Sequence, residues 1–284
     1  MGKFDGILLC TDLDGTLLDD NCRVSAENKK AIDYFKKEGG LFTFVTGRVP
    51  SGARLMLEHV QPNIPAVTFN GAGVYDFEKD ELLWGVYLDE KAKDVVAYVE
   101  EKIPEVGLII CTDRQVHFSK MNKWVDKYIK DENAPLITTP YLEVKEPWKK
   151  VILVVSTETI PEIKRVIAES EFYGFYDFMQ SSPVYYEILP KGARKGTGLE
   201  RLVQLIGADK NRVIAVGDNE NDISMIKTAA FGIAVANAAE SLREIADMVT
   251  VSNNESALAK IIDALDSGEI KKLLMKAPTC GRRN

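Results

Sequence analysis

The sequence predicts an α/β fold, a doubly wound parallel sheet interrupted by an inserted α+β module. Three observations lead there. Apolar strand-like runs alternate with helical ones in the first part of the chain. Between 83 and 187 short polar loops join consecutive strands instead. After Pro190 the strand-and-helix alternation returns.

The apolar run Ile7-Leu8-Leu9-Cys10 opens a strand over 7–11, as expected of a strand buried on both faces. Ser25 caps a helix over 25–37, Glu27 sits in its first turn, and Gly39-Gly40 ends it. A strand over 41–45 leads into Thr46-Gly47-Arg48 and a helix over 51–58. Ala66 to Phe69 reads as a third strand of the parallel array, ending at Asn70-Gly71 in a turn toward Val74-Tyr75. Helices over 90–102, 122–130 and 159–170 then interleave with strands over 83–88, 107–111, 115–119, 151–155, 175–180 and 184–189. Thr112-Asp113-Arg114 and Ser181-Ser182-Pro183 are hairpin-length connections, which parallel strands cannot use. Beyond Pro190 come a helix over 196–206, strands over 213–216 and 231–234, and helices over 223–228, 241–246 and 255–265. The parallel domain is therefore expected in two pieces, 1–82 and 188–284, around a module spanning 83–187.

Bulk properties narrow the class. A hydrophobic content of 45% with 28% charged residues is that of a globular chain with a proper core. A net charge of −7 argues against a nucleic-acid partner, which would call for a basic stripe. Cys10, Cys22, Cys111 and Cys280 lack metal-ligand spacing and read as reduced thiols. No signal peptide, myristoylation site or membrane span is visible, so a cytoplasmic monomer or small homo-oligomer is expected. The stretch 276–284 lacks periodicity and reads as frayed.

Chemistry concentrates in Asp12-Leu13-Asp14-Gly15-Thr16, where two carboxylates leave the carboxyl end of the first strand together. In open α/β sheets that edge is where ligands bind. Crowded acids are costly unless something positive joins them, and a divalent metal is the simplest solution. A plain Asp-Gly turn is the bland alternative, and an EF-hand is excluded because glycine directly follows the second Asp. Other strand ends supply Thr46 and Gly217-Asp218-Asn219-Glu220-Asn221-Asp222, although turn closure or helix capping would also explain these residues. Lys195 opposes the dipole at a helix start and makes sense there if an anion is shared with the helix N–H groups. Gly192 to Gly198 is not a Walker loop, because its lysine precedes the second glycine. His59 and His117 read as surface or packing residues. Trp84, Trp124, Trp148 and Tyr185-Tyr186 could stack on a ligand, although packing explains them as well.

Taken together, Asp12-x-Asp14-Gly-Thr, Thr46-Gly-Arg, Lys195 and Gly217-Asp218-x-x-Asn221-Asp222 resemble, in order and spacing, the four motifs of the haloacid dehalogenase superfamily. Asn70-Gly71-Ala72 and Glu187-x-x-Pro190-x-Gly192-x-x-Lys195 look like its Cof-type IIB branch. The resemblance implies a Rossmann-like core and a cap over 83–187 that reads the substrate. It implies a phosphatase acting on a small phosphorylated metabolite, such as a sugar phosphate or nucleotide-like cofactor. Asp12 would be the nucleophile, and Asp14 the general acid and base, holding its proton because another acid lies beside it. Mg²⁺ would be held by Asp12, Asp218 and the Asp14 carbonyl, with Asp222 and Asn221 supporting from outside that set. Thr46, Gly47 and Lys195 would bind phosphate, with Asn221 as a further contact. Arg48 would either reach the phosphate or form a structural pair. A phosphomutase and a non-catalytic phospho-ligand sensor are the alternatives.

Overall fold

The computed structural model describes residues 2–132 and 135–270, so the expected frayed stretch 276–284 and Cys280 lie outside it. The chain opens with β1 (Leu8–Thr11), α1 (Ala26–Lys37), β2 (Leu41–Phe44) and α2 (Pro50–Arg54). The Ser25 hydroxyl accepts from the Asn28 N–H at 3.1 Å, capping α1 as its sequence predicts. β3 (Ala66–Thr68), β4 (Gly73–Asp76) and β5 (Glu81–Gly85) then form a small antiparallel sheet. The expected third strand of the parallel array is thus corrected. Its first residues meet the chain after β2 through one parallel bridge, Val45 to Val67, but its ladder runs to β4. Phe69, Asn70 and Gly71 all have positive φ (54°, 55° and 97°), which turns the backbone back at once.

Next come α3 (Ala92–Lys102), β6 (Gly107–Cys111), β7 (Val116–Lys120), α4 (Val125–Glu132), β8 (Ile137–Thr138) and β9 (Lys150–Val154). The segment ends with α5 (Ile160–Ala168), β10 (Asp177–Ser182) and β11 (Tyr185–Leu189). Its strands form one sheet in the order β10-β11-β9-β6-β7-β8, antiparallel except for β7 with β8. Side chains alternate across this sheet. Leu108, Ile110, Val151 and Leu153 pack with Val95 and Val99 of α3 and Ile163 of α5. Ile109, Cys111, Ile152 and Val154 face the other way and join Val49, Phe69 and Ala72. That second face also carries the functional side chains described below.

The remaining elements are α6 (Lys195–Ile206), β12 (Val213–Gly217), α7 (Ile223–Thr228), β13 (Phe231–Ala234), α8 (Glu240–Arg243), β14 (Met248–Val249) and α9 (Ala257–Asp266). β12, β13 and β14 join β1 and β2 in a five-stranded, all-parallel sheet in the order β14-β13-β12-β1-β2. β1 is an interior strand, paired with β12 on one side and β2 on the other, and every one of its residues is buried. Because all five strands point the same way, the residues after β1, β2 and β12 share one edge. The expected boundaries at 82/83 and 187/188 fall inside β5 and β11. Where the two sheets meet, the fully buried Lys149 ammonium bonds the Ala72 and Val86 carbonyls, both at 3.3 Å, and sits 3.7 Å from the Tyr87 ring centre. Among the described residues no helix is long and apolar enough to cross a membrane.

Candidate active site

The acids after β1 and β12 meet. Asp12, Asp218 and Asp222 each offer a carboxylate oxygen, and these oxygens lie within 4.8 Å of one another. The Lys195 ammonium, at the start of α6, bonds Asp12 Oδ1 at 2.7 Å and Asp222 Oδ1 at 2.6 Å. Lys195 and Asp222 are fully buried and Asp12 nearly so. Burial works against the lysine charge, but the Asp12 and Asp222 carboxylates outweigh it and hold the ammonium well above the usual lysine range. Burial also pushes the Asp12 carboxyl well above its usual range; Lys195 opposes this, while Asp222, Asp218 and Asp14 add to it. Asp218 is pushed up to about 6, chiefly by burial and then by Asp222, against Lys195 and the Thr16 hydroxyl. That hydroxyl donates to Asp218 Oδ1 at 2.9 Å.

Asp222 is an organiser rather than a free ligand. Its Oδ2 accepts from the Asp218 and Asn219 N–H groups at 2.9 and 3.0 Å, while its Oδ1 is held by Lys195. Two glycines make the packing possible. A Cβ at Gly217 would sit 2.6 Å from the Asp222 Cβ, and one at Gly15 would meet Asp218 Oδ2 at 2.5 Å. Gly15 also adopts φ 76°, a left-handed conformation that side chains resist.

Asp14 stands apart from this cluster. Its carboxylate, 53% exposed, accepts from Arg48 Nε at 2.8 Å and Arg48 Nη2 at 2.7 Å. The bonded neighbour of Asp14 is thus a guanidinium, although the Asp12 carboxyl also lies close enough to feel its charge. Arg48 is paired with Asp14 and also lines the cavity described below. Its N–H also donates to the Thr46 hydroxyl oxygen at 3.1 Å, so that hydroxyl keeps its own proton for another acceptor.

Asn221 is tied to a residue of a second loop, Asn70. Its Nδ2 donates to Asn70 Oδ1 at 3.1 Å, and its buried Oδ1 has no partner among the described residues. An acceptor does not bind a phosphate oxygen; it suits a water or a cation.

A cavity of about 550 Å³ opens between the two large sheets, lined on one side by Asp12, Asp14, Gly47, Arg48, Asp218 and Asn221. Thr46, Lys195 and Asp222 lie behind that wall, 0–1% exposed. The opposite wall is formed by Tyr128, Lys130, Lys150, Ser181, Ser182, Tyr185 and Glu187. Most of these escaped sequence reasoning. The available signals were a charged Glu187 inside the apolar strand Tyr-Tyr-Glu-Ile-Leu and the Lys149-Lys150 pair directly before Val-Ile-Leu-Val-Val. Of the aromatic candidates, Tyr185 lines the cavity, Tyr186 and Trp148 belong to the core, and Trp84 and Trp124 pack against it. His59 is exposed, and His117 is buried with Nδ1 3.2 Å from the Thr139 hydroxyl.

A parallel sheet with a lysine-bridged acid cluster at its carboxyl edge, facing a second sheet across a cavity, is an enzyme architecture of the α/β hydrolytic kind. The chain belongs to the haloacid dehalogenase-like hydrolases, whose family model matches residues 9–262. Bacillus subtilis YitU, a 5-amino-6-(5-phospho-D-ribitylamino)uracil phosphatase, is 26% identical over 266 residues, covering 90% of this chain and 96% of its own. TM0651 from Thermotoga maritima superposes with a TM-score of 0.78 at 28% identity, over 90% of this chain and 96% of that one. A haloacid dehalogenase-like hydrolase from Bacteroides thetaiotaomicron shares the fold, with a TM-score of 0.82 at 22% identity over 92% and 99% of the two chains.

Proposed function

We propose that this protein is a Mg²⁺-dependent phosphatase of small phosphorylated metabolites, working through an aspartyl-phosphate on Asp12. The observation that carries the reading is the convergence of Asp12 and Asp218 on one rim, with a buried lysine between Asp12 and Asp222. A carboxylate approaching a phosphate dianion at about 3.5 Å meets roughly 9 kcal/mol of repulsion at an effective dielectric of about 20. That would cost more than about six decades in rate, so the site needs positive charge beyond Lys195. The donors fit Mg²⁺, which prefers hard oxygens: the Asp12 and Asp218 carboxylates and the Asp14 carbonyl would hold it. Asp222 keeps the loop shaped behind them. When bound, the ion would draw charge from the phosphoryl oxygens and reduce the repulsion on the nucleophile.

The chain's own residues supply the rest. An Asp12 oxygen attacks phosphorus and the bond to the leaving oxygen breaks, while Asp14, released from Arg48 and having taken a proton from solvent, passes that proton to the leaving oxygen. Asp14 then takes a proton from the water that attacks the aspartyl-phosphate, releasing phosphate and restoring Asp12. To do this Asp14 must exchange its Arg48 partner for the leaving group, which its exposure allows. The Thr46 hydroxyl and the Gly47 N–H hold a non-reacting oxygen. The module over 83–187 closes on the cavity and reads the leaving group, with Tyr128 and Tyr185 offering ring faces and Ser181 and Ser182 hydroxyls. That combination suits a sugar, polyol or nucleotide-like leaving group, a class that includes the substrate named for YitU.

The test is a panel of phosphorylated metabolites, including the phosphoribitylamino-uracil ester, assayed for free phosphate with Mg²⁺ and with chelator. Metal-dependent release that Asp12→Asn abolishes is the expected result. Release untouched by Asp12→Asn removes the catalytic assignment, and an isomerised ester without free phosphate makes the protein a phosphomutase.

A further inference from the structure

One buried polar chain runs between the two sides of the cavity, and the chemistry above does not use it. Lys150, the first residue of β9, is 3% exposed, and so is Glu187 on β11. The Lys150 ammonium donates to both Glu187 oxygens and to the Gly47 carbonyl, each at 3.0 Å. Glu187 also accepts from the Ser181 hydroxyl at 2.6 Å and from Asn70 Nδ2 at 2.9 Å. Asn70 in turn accepts from Asn221 at 3.1 Å. These contacts occupy the three donors of the ammonium and all four acceptor positions of the carboxylate, leaving neither group free to bind substrate directly.

The polarity of the chain follows from its one member that can only accept. An ionised Glu187 must receive the NH₂ of Asn70, which turns the Asn70 carbonyl toward Asn221. Asn221 must answer with its own NH₂, which leaves its Oδ1 as an unpartnered acceptor on the side of the Asp218 loop. At the other end, Lys150 draws the Gly47 carbonyl toward the inserted sheet. The same peptide's N–H, from Arg48, is then directed to the Thr46 hydroxyl oxygen.

We propose that the buried Lys150–Glu187 pair is a positioning relay: from the inserted sheet it sets the hydrogen-bond polarity of the Gly47–Arg48 peptide and of the Asn70–Asn221 amides. In this way it poses both catalytic loops for the phosphoryl group and for Mg²⁺. The inference rests on the phosphatase reading above. Because the relay acts on the phosphoryl side, its loss should be felt equally by esters with different leaving groups.

The experiment compares wild type, Glu187→Gln, and the double variant Lys150→Met/Glu187→Gln, which leaves no buried charge unpaired. A glutamine keeps the shape of Glu187 but can donate as well as accept, so it no longer dictates the direction of the amides. Hydrolysis of p-nitrophenyl phosphate and of a hexose phosphate is measured alongside calorimetric Kd values for Mg²⁺ and inorganic phosphate. Glu187→Gln is expected to lower kcat ten- to hundredfold by the same factor for both esters, with KM within about threefold. Both Kd values should weaken at least fivefold, and the double variant should be no worse than about threefold beyond the single one. Unchanged kcat and Kd in a folded Glu187→Gln protein would reduce the pair to scaffolding. A loss confined to KM for the hexose phosphate would make it a leaving-group contact. If wild type hydrolyses neither ester, the metabolite panel decides the phosphatase reading separately, and the two Kd values still decide the relay.

Discussion

Removing the Lys195 ammonium separates electrostatics from packing at the centre of the site. In Lys195→Met the aliphatic stem is preserved, but Asp12 and Asp222 lose the cation that bonds them at 2.7 and 2.6 Å. At an effective dielectric of about 20 each contact is worth roughly 6 kcal/mol of attraction. Desolvating the buried groups consumes most of that, so the measurable loss is the cost of leaving carboxylates buried without a partner, about 3–5 kcal/mol. The pH dependence carries the diagnosis. Burial already raises the Asp12 carboxyl, and Lys195 is the influence holding it down, so the variant raises it further. A carboxyl raised in the folded state binds a proton there that the unfolded chain releases near its ordinary value of about 4. Stability therefore falls as pH climbs between those two values. Urea unfolding in chelator should show the full loss at pH 8 and a loss smaller by about 1 kcal/mol or more at pH 5.5. Adding Mg²⁺ at pH 8 should restore part of it. An equal loss at both pH values, indifferent to Mg²⁺, would mean that Lys195 matters only through its packing.

Further outcomes follow from the same geometry. Gly15→Ala must place a Cβ 2.5 Å from Asp218 Oδ2 at φ 76°. It should cost about 1–2 kcal/mol of stability from backbone strain alone and weaken calorimetric Mg²⁺ binding at least tenfold. Since Asp218 is pushed up to about 6, Asp12 is raised in the same direction, and each binds a cation only when ionised, Mg²⁺ affinity should fall by at least about tenfold per unit as pH drops below 6. By the same sign, the metal-free protein should lose up to about 3 kcal/mol through Asp218 as pH rises from 4 to 7, which urea unfolding would detect. Chelator should abolish phosphate release, and Mg²⁺ should restore it.

What could be read from the sequence divides by distance along the chain. β1, α1, β12 and α7 were legible because each is set by its own residues: an apolar run, a serine cap, a glycine stop. The acids were legible because each directly follows a strand, and parallel strands deliver their ends to one edge. β8 and β14 are two residues long and carry no periodic signal. The ladder of β3 depended on three consecutive residues of positive φ, two of them not glycine, for which local preference gives little warning. The partner of Asp14 lies 34 residues away, and that of Asn70 lies 117 away, across the inserted module. Contacts of that kind belong to tertiary packing, so residue type suggested the chemistry of Asp14 without revealing its neighbour.

The distribution of charge accounts for the architecture as much as the motifs do. Of the three buried lysines among the described residues, Lys195 and Lys150 each sit among carboxylates or carbonyls near the cavity that are supplied by segments distant in sequence. Lys195 compensates the acids of the parallel sheet, and Lys150 compensates Glu187 and ties the facing sheet to the Gly47 loop. A single-sheet protein could satisfy the first arrangement but not the second. The inserted module therefore contributes more than a roof over the cavity, because part of the hydrogen bonding that shapes the loops carrying Gly47, Asn70 and Asn221 originates in β9 and β11. Exchanging this module for one of equal size without Lys150 and Glu187 should lower turnover even on an ester too small to touch it.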